Sequence, residues 1–123
     1  MIVIVDDHYD SAQALKKLLA LRGIAAVCVD NAAQALKLLP ALKPRAVILD
    51  YMMSEMTGVD ALRAMRRDED LARVPVLFFS ALDDEDVRDQ ALKLGAHAWL
   101  QKGHSGFQDV IDEVERVMVH ARL

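Results

Sequence analysis

Five short apolar runs, each followed by a longer stretch with helical spacing of its apolar residues, constrain this chain more than any other feature. The runs occupy residues 2 to 5, 25 to 29, 46 to 49, 76 to 80 and 97 to 100. Val47-Ile48-Leu49 and Val76-Leu77-Phe78-Phe79 are apolar at consecutive rather than alternating positions, so both faces of these strands require a cover of helices. Strands covered on both faces belong to a parallel sheet.

Five strands alternating with five helices in 123 residues predict one domain, residues 1–123, with an α/β fold. Crossovers between parallel strands are right-handed, which leads to a three-layer, doubly wound (βα)5 architecture. The flavodoxin-like strand order 2-1-3-4-5 is the expectation, and in such sheets the functional crevice lies where the order reverses, between strands 1 and 3. Helix starts are predicted from capping-box spacing in Asp10 with Gln13, Asn31 with Gln34 and Ser105 with Gln108. Leu15, Leu18 and Leu19 share one face of the first helix, and Phe107, Val110, Ile111, Val114, Val117 and Met118 share one of the last. Gly23 and Gly95 fall where the first and fourth helices should stop, and Pro40 and Pro44 bracket the end of the second. No linker-like tract or internal repeat divides the chain.

Composition narrows the function classes. With 54% apolar and 28% charged residues the chain is globular in type, and no window holds the roughly 18 uninterrupted apolar residues of a membrane span. Met1-Ile2-Val3-Ile4-Val5 runs directly into Asp6 without a basic region or cleavage site, so a cytoplasmic location is expected. The single cysteine, Cys28, has no second thiol for a disulfide or a thiolate metal cage and is read as a small buried hydrophobe. A net charge of -4 argues against nucleic acid as a direct partner.

The chemistry sits at the strand ends. Asp6 and Asp7 follow strand 1, Asp50 follows strand 3, Ser80 ends strand 4 and Lys102 follows strand 5. A parallel sheet brings these ends to one rim, so carboxylates distant in sequence become neighbours. Clustered carboxylates raise one another's pKa unless a cation neutralises them, and an all-oxygen set suits a hard ion such as Mg²⁺, with no need of a His or Cys ligand. Asp50 is then placed to act as a carboxylate nucleophile toward phosphorus, with Lys102 and the metal sharing the charge and Ser80 donating a hydrogen bond. Singly these residues are ordinary. Asp10, Asp30, Asp60 and Asp83 are read only as caps or solvated surface. It is the convergence of five positions on four strand ends that carries the argument.

The chain resembles the receiver domain of bacterial two-component response regulators over essentially its whole length. The resemblance rests on Ile2-Val3-Ile4-Val5-Asp6-Asp7, on Val47-Ile48-Leu49-Asp50 with Met53 and Gly58, on Phe79-Ser80-Ala81, and on Gly95-Ala96 leading to Leu100-Gln101-Lys102. It implies that Asp50 is the phosphoacceptor, with Mg²⁺ bound by Asp7, Asp50 and the backbone carbonyl of Met52, and by Asp6 through water. Ser80 and Lys102 would sense the phosphoryl group, and Trp99 matches an aromatic switch position on strand 5. The implied partners are a histidine kinase or histidine phosphotransfer protein, a downstream target or fused output domain, and a phosphorylation-dependent second copy. Such a protein is a signalling switch rather than a turnover enzyme, although it takes part in its own phosphorylation and slow autodephosphorylation. The chain departs from the family in carrying Gly103 where proline usually follows the lysine, and Ser54 and Thr57 in the loop after the phosphoacceptor.

Other readings have less support. A receiver-like domain with a degenerate switch, acting as a constitutive interaction or dimerisation module, is opposed by the complete five-residue set. A Mg²⁺-dependent phosphatase of the haloacid dehalogenase type usually has a second Asp two residues after its nucleophile, where this chain has Met52. A nucleotide or flavin binder would need a glycine-rich loop after strand 1, where Asp6 and Asp7 stand.

Overall fold

The computed structural model describes residues 1–122. Strands β1 (Ile2–Val5), β2 (Ala26–Val29), β3 (Ala46–Leu49), β4 (Val76–Ser80) and β5 (Ala98–Gln101) alternate with helices α1 (Tyr9–Leu21), α2 (Ala32–Leu42), α3 (Gly58–Arg67), α4 (Glu85–Lys93) and α5 (Phe107–Arg122). The strands form one sheet in the order β2-β1-β3-β4-β5, and every pairing is parallel. This is the flavodoxin-like arrangement expected, with β2 starting one residue later than the apolar run and β5 shifted by one residue at both ends.

The consecutive apolar positions are explained by two cores, one on each face of the sheet. Val3, Val5, Val47, Leu49, Val76 and Phe78 face α2, α3 and α4, packing with Leu39, Leu62 and Met65. Their immediate neighbours Ile2, Ile4, Ala46, Ile48, Leu77 and Phe79 point the other way, onto Leu15 and Leu19 of α1 and Val110, Ile111, Val114 and Val117 of α5. Successive side chains along a strand alternate between faces, so a strand covered on both sides must be apolar throughout. Each Val, Leu, Ile or Phe among them contributes roughly 1.5–3 kcal/mol by leaving water.

Helix ends follow local polar contacts, and several differ from expectation. Asn31 caps α2 as predicted, its Oδ1 accepting from the Gln34 N–H at 2.7 Å. Asp10 does not cap α1. The carboxylate of Asp6 accepts the His8 N–H at 2.8 Å, turning the chain immediately after β1, so the helix starts at Tyr9 and Asp10 falls inside its first turn. Ser105 does not cap α5 either, because Asp109 reaches back to the Gly106 N–H at 2.8 Å and Gln108 bonds Asp112 instead. The capping box that does form is Thr57 with Asp60, at the start of α3. Asp84, not its neighbour Asp83, caps α4. Pro40 lies inside α2 rather than at its end: so near the C-terminus it removes one ladder bond, and the helix closes at Lys43, in the left-handed region at φ 49°. Gly23 and Gly95 follow the ends of α1 and α4 with φ of 74° and 86°. Arg66 fastens the far end of α3 to its surroundings, donating to the carbonyls of Leu94, Gly95, Ala72 and Val74.

Candidate functional site

The sheet register assembles the rim. Val5 pairs with Leu49, so the next residues, Asp6 and Asp50, emerge side by side from adjacent strands. Their backbones are held in the sheet's own ladder, with Asp6 N–H donating to Val29 and Asp50 N–H to Val5. On the far side Ser80 pairs with Gln101, and the Lys102 N–H donates to the Ser80 carbonyl at 2.8 Å. Lys102 thereby extends across β4 toward the acidic residues. Its Nζ donates to Asp6 at 2.7 Å, lies 3.4 Å from Asp50 and stands over the Phe79 ring, 5.6 Å from its centroid. The peptide bonds of the described residues are all trans, and the turn after Lys102 uses Gly103 at φ 94°, a conformation other side chains rarely adopt.

Asp6 and Asp50 are 6% and 5% exposed, whereas Asp7 is open to solvent. Burial pushes the Asp6 carboxyl above the usual carboxylate range. Hydrogen bonds from Lys102 and the His8 N–H and the charge of Lys102 oppose this, the charge of Asp50 adds to it, and burial prevails. One ammonium therefore faces a group of three carboxylates. Ligand atoms of Asp6, Asp7, Asp50 and His8 all lie within 4.8 Å of one another. A cluster so acidic, with the buried Asp6 carboxyl resisting ionisation, fits a divalent cation.

Gly58 shows why the loop after β3 can close over this rim. Its N–H donates to the Tyr51 carbonyl at 2.9 Å. A Cβ at that position would overlap the Asp50 carbonyl oxygen and come within 2.8 Å of Phe78. Helix α3 thus starts directly against the backbone of Asp50, and only glycine permits the approach.

The remaining expected residues sit behind the rim. Ser80 is fully buried, its hydroxyl accepting from the Leu82 N–H at 3.3 Å. The Leu82 carbonyl in turn accepts from the Trp99 indole N–H at 3.4 Å. Trp99 is turned inward, stacked on Phe78 with centroids 4.7 Å apart and tilted against Tyr51. Met52 stands on the loop after Asp50 with its side chain 61% exposed. His8 was not among the expected ligands; its direct succession to Asp6-Asp7 is the signal that points to it.

A parallel, doubly wound sheet carrying buried aspartates at its order reversal, opposed by a lysine just after β5, is the arrangement of a class of small signalling domains. The family model for the response regulator receiver domain matches residues 2–115, and the chain belongs to that family. The regulatory protein AtoC of Escherichia coli (strain K12) is 35% identical over 101 residues, covering 82% of this chain and 22% of that protein. Among solved structures, the receiver domain of the Francisella response regulator 1452 superposes with a TM-score of 0.89 at 25% identity, over 98% of this chain and 97% of that one. The signal receiver domain of a signal transduction histidine kinase from Syntrophus aciditrophicus gives 0.87 at 28% identity, over 97% and 89%. The chain spans less than half the length of the curated relatives it matches, from 16% to 45% for the first three. No helix among the described residues is long and apolar enough to cross a membrane.

Proposed function

We propose that this chain is a phosphoryl-accepting switch in which Asp50 takes the phosphoryl group from a histidine kinase or histidine phosphotransfer protein. The observation that carries the reading is the Lys102 ammonium shared between the buried carboxylates of Asp6 and Asp50. A carboxylate oxygen of Asp50 attacks phosphorus; the P–N bond of the donor breaks, its electron pair returns to that ring nitrogen, and the donor ring, already protonated at its other nitrogen, leaves as neutral imidazole. Mg²⁺ is the cofactor and would supply positive charge for the phosphoryl oxygens; Asp7, Asp50 and the Met52 carbonyl are the residues that would hold it directly, and Asp6 through water. Lys102 holds the Asp50 carboxylate before transfer and pairs with a phosphoryl oxygen after it, a change it makes by a small swing of a flexible stem.

Ser80 and Trp99 form the sensing pair. The Ser80 hydroxyl has a proton to donate to a phosphoryl oxygen, and a rotation toward that acceptor breaks its contact with the Leu82 N–H. Leu82 also holds the Trp99 indole, so motion at Ser80 is passed to the aromatic residue through one intervening position. The surface of α4, β5 and α5 is the output face, offered to a downstream target, a fused output domain or a second copy of the chain. On this reading residues 1–123 act as one cytoplasmic receiver unit, with single phosphorylation and slow autodephosphorylation in place of turnover.

The test is phosphotransfer with Mg²⁺ and either acetyl phosphate or a phosphohistidine donor, read by intact mass and Trp99 fluorescence. Wild type should gain a hydroxylamine-sensitive phosphoryl adduct with a change in emission, and Asp50→Asn should gain neither. Undiminished adduct in Asp50→Asn would place the acceptor elsewhere.

A further inference from the structure

Building on the metal-dependent switch just described, we propose that His8 is an additional ligand of the ion at this rim and biases the site toward first-row transition dications such as Co²⁺ and Ni²⁺ over Mg²⁺. A ring nitrogen of His8 and one oxygen each of Asp6, Asp7 and Asp50 lie within 4.8 Å of one another. Ligands of one ion, each about 2.1 Å from it, can stand up to about 4.2 Å apart, so a small closing movement brings the His8 ring nitrogen to an ion held by Asp7 and Asp50, with Asp6 engaged through water. The two exposed members, Asp7 and His8, are free to make it.

The base of the imidazole is fixed while its ring is available. The His8 N–H donates to Asp6 at 2.8 Å and its carbonyl accepts from Ala12 at 3.0 Å, anchoring the residue at the start of α1. Anchored between β1 and α1, it is carried on the same turn as Asp6 and Asp7. Among the described residues the other histidines lie outside the cluster, His97 being paired with Glu113 at 3.5 Å.

The ligand chemistry sets the direction of the bias. Mg²⁺ prefers oxygen ligands and dehydrates reluctantly, so a neighbouring imidazole adds little to its binding. Affinity of a mixed nitrogen and oxygen site rises from Mn²⁺ through Co²⁺ to Ni²⁺, and imidazole suits the later ions. His8 therefore converts an all-oxygen rim into one whose affinities separate by metal.

Calorimetric titration of the full chain with MgCl₂, CoCl₂ and NiCl₂, together with the visible absorption of bound Co²⁺, tests the assignment. Losing one ligand should weaken Co²⁺ and Ni²⁺ in His8→Ala by about 10-fold or more, the scale on which even outer-shell losses act. Mg²⁺ should weaken far less, and the Co²⁺ spectrum should lose its nitrogen-ligand signature. His8→Asn, which keeps a polar residue before α1, should behave the same way. An unchanged ratio of Ni²⁺ to Mg²⁺ affinity in His8→Ala, or an unchanged Co²⁺ spectrum, overturns the proposal. Asp7→Asn separates the two readings. If it abolishes Mg²⁺ binding while His8→Ala leaves the ratio intact, only the His8 assignment fails; if it leaves all three ions bound, the rim is not the metal site and the switch reading fails as well.

Discussion

Lys102 stands between two carboxylates that share little water, and its removal is the most informative single change at the rim. Its side chain is 18% exposed, and those of Asp6 and Asp50 are 6% each, so neither acid can recover full hydration once the ammonium is gone. Asp6 keeps the His8 N–H, which limits the loss. Lys102→Ala should destabilise the metal-free protein by about 1–3 kcal/mol, below the full cost of a broken buried pair because the rim opens to solvent. Saturating Mg²⁺ should recover most of that deficit by supplying the missing charge, while phosphotransfer stays impaired. Equal losses with and without Mg²⁺ in thermal melts would show that the cation does not share these oxygens. Cys28 gives a second residue-scale expectation. Burial pushes its thiol above the ordinary range, Lys16 pulls it down and Asp6 pushes it up. The native state thus keeps the proton to higher pH than the unfolded chain, so this contribution is fully present below the ordinary thiol pKa and is lost as pH rises through the folded one. Alkylation should be slower in the native protein than in denaturant, since the thiolate is the nucleophile, and Cys28→Ser should flatten the alkaline decline in stability. Native alkylation as fast as that of the unfolded chain would contradict it.

Helix α3 shows how an element's start is set by the site it supports. Thr57 and Asp60 satisfy two free N–H groups reciprocally, and Gly58, the first helical residue, lies against the Asp50 backbone and Phe78. Gly58→Ala forces either the helix or the Asp50 carbonyl to move, a strain of roughly 1–3 kcal/mol on the scale of overpacked cores. The displacement falls on Asp50, so if Asp50 accepts the phosphoryl group as proposed, phosphorylation should slow more than the loss of stability explains, as read by adduct formation at a temperature where the variant is fully folded. A fully folded variant phosphorylating at the wild-type rate would remove Gly58 from the site's support. The strands were legible because consecutive apolar residues between helical stretches call for burial on both faces, and their order followed from choosing the flavodoxin-like form of a doubly wound sheet. Helix starts were less so, since a cap is decided by competition among nearby acceptors. At α1 the Asp6 carboxylate captured the His8 N–H before Asp10 could act, and at α5 Asp109 displaced the expected Ser105. The same early turn carries His8 to the rim, which is why strand-end positions brought the aspartates and the lysine together on paper but passed over the histidine beside them.

At the scale of the molecule, two separate cores share a single thin sheet. Each strand contributes alternate side chains to both, so neither layer can lose its packing without exposing strand residues that also support the other. Leu15 is 2% exposed in the α1–α5 core, and Trp99 packs against the opposite core, on Phe78. If the layers unfold together, a cavity on one side must register on the other. Leu15→Ala should therefore lower stability by about 2–5 kcal/mol and shift the denaturation midpoint seen by Trp99 fluorescence as far as that seen by far-ultraviolet circular dichroism. A layer that melted alone would show the dichroism transition moving while the Trp99 transition stayed near its wild-type midpoint. Coincident shifts bear directly on the switch. A sheet that holds its two faces in one cooperative unit keeps the strand ends in register, and that register is what sets Asp6 beside Asp50 and brings Lys102 across to both.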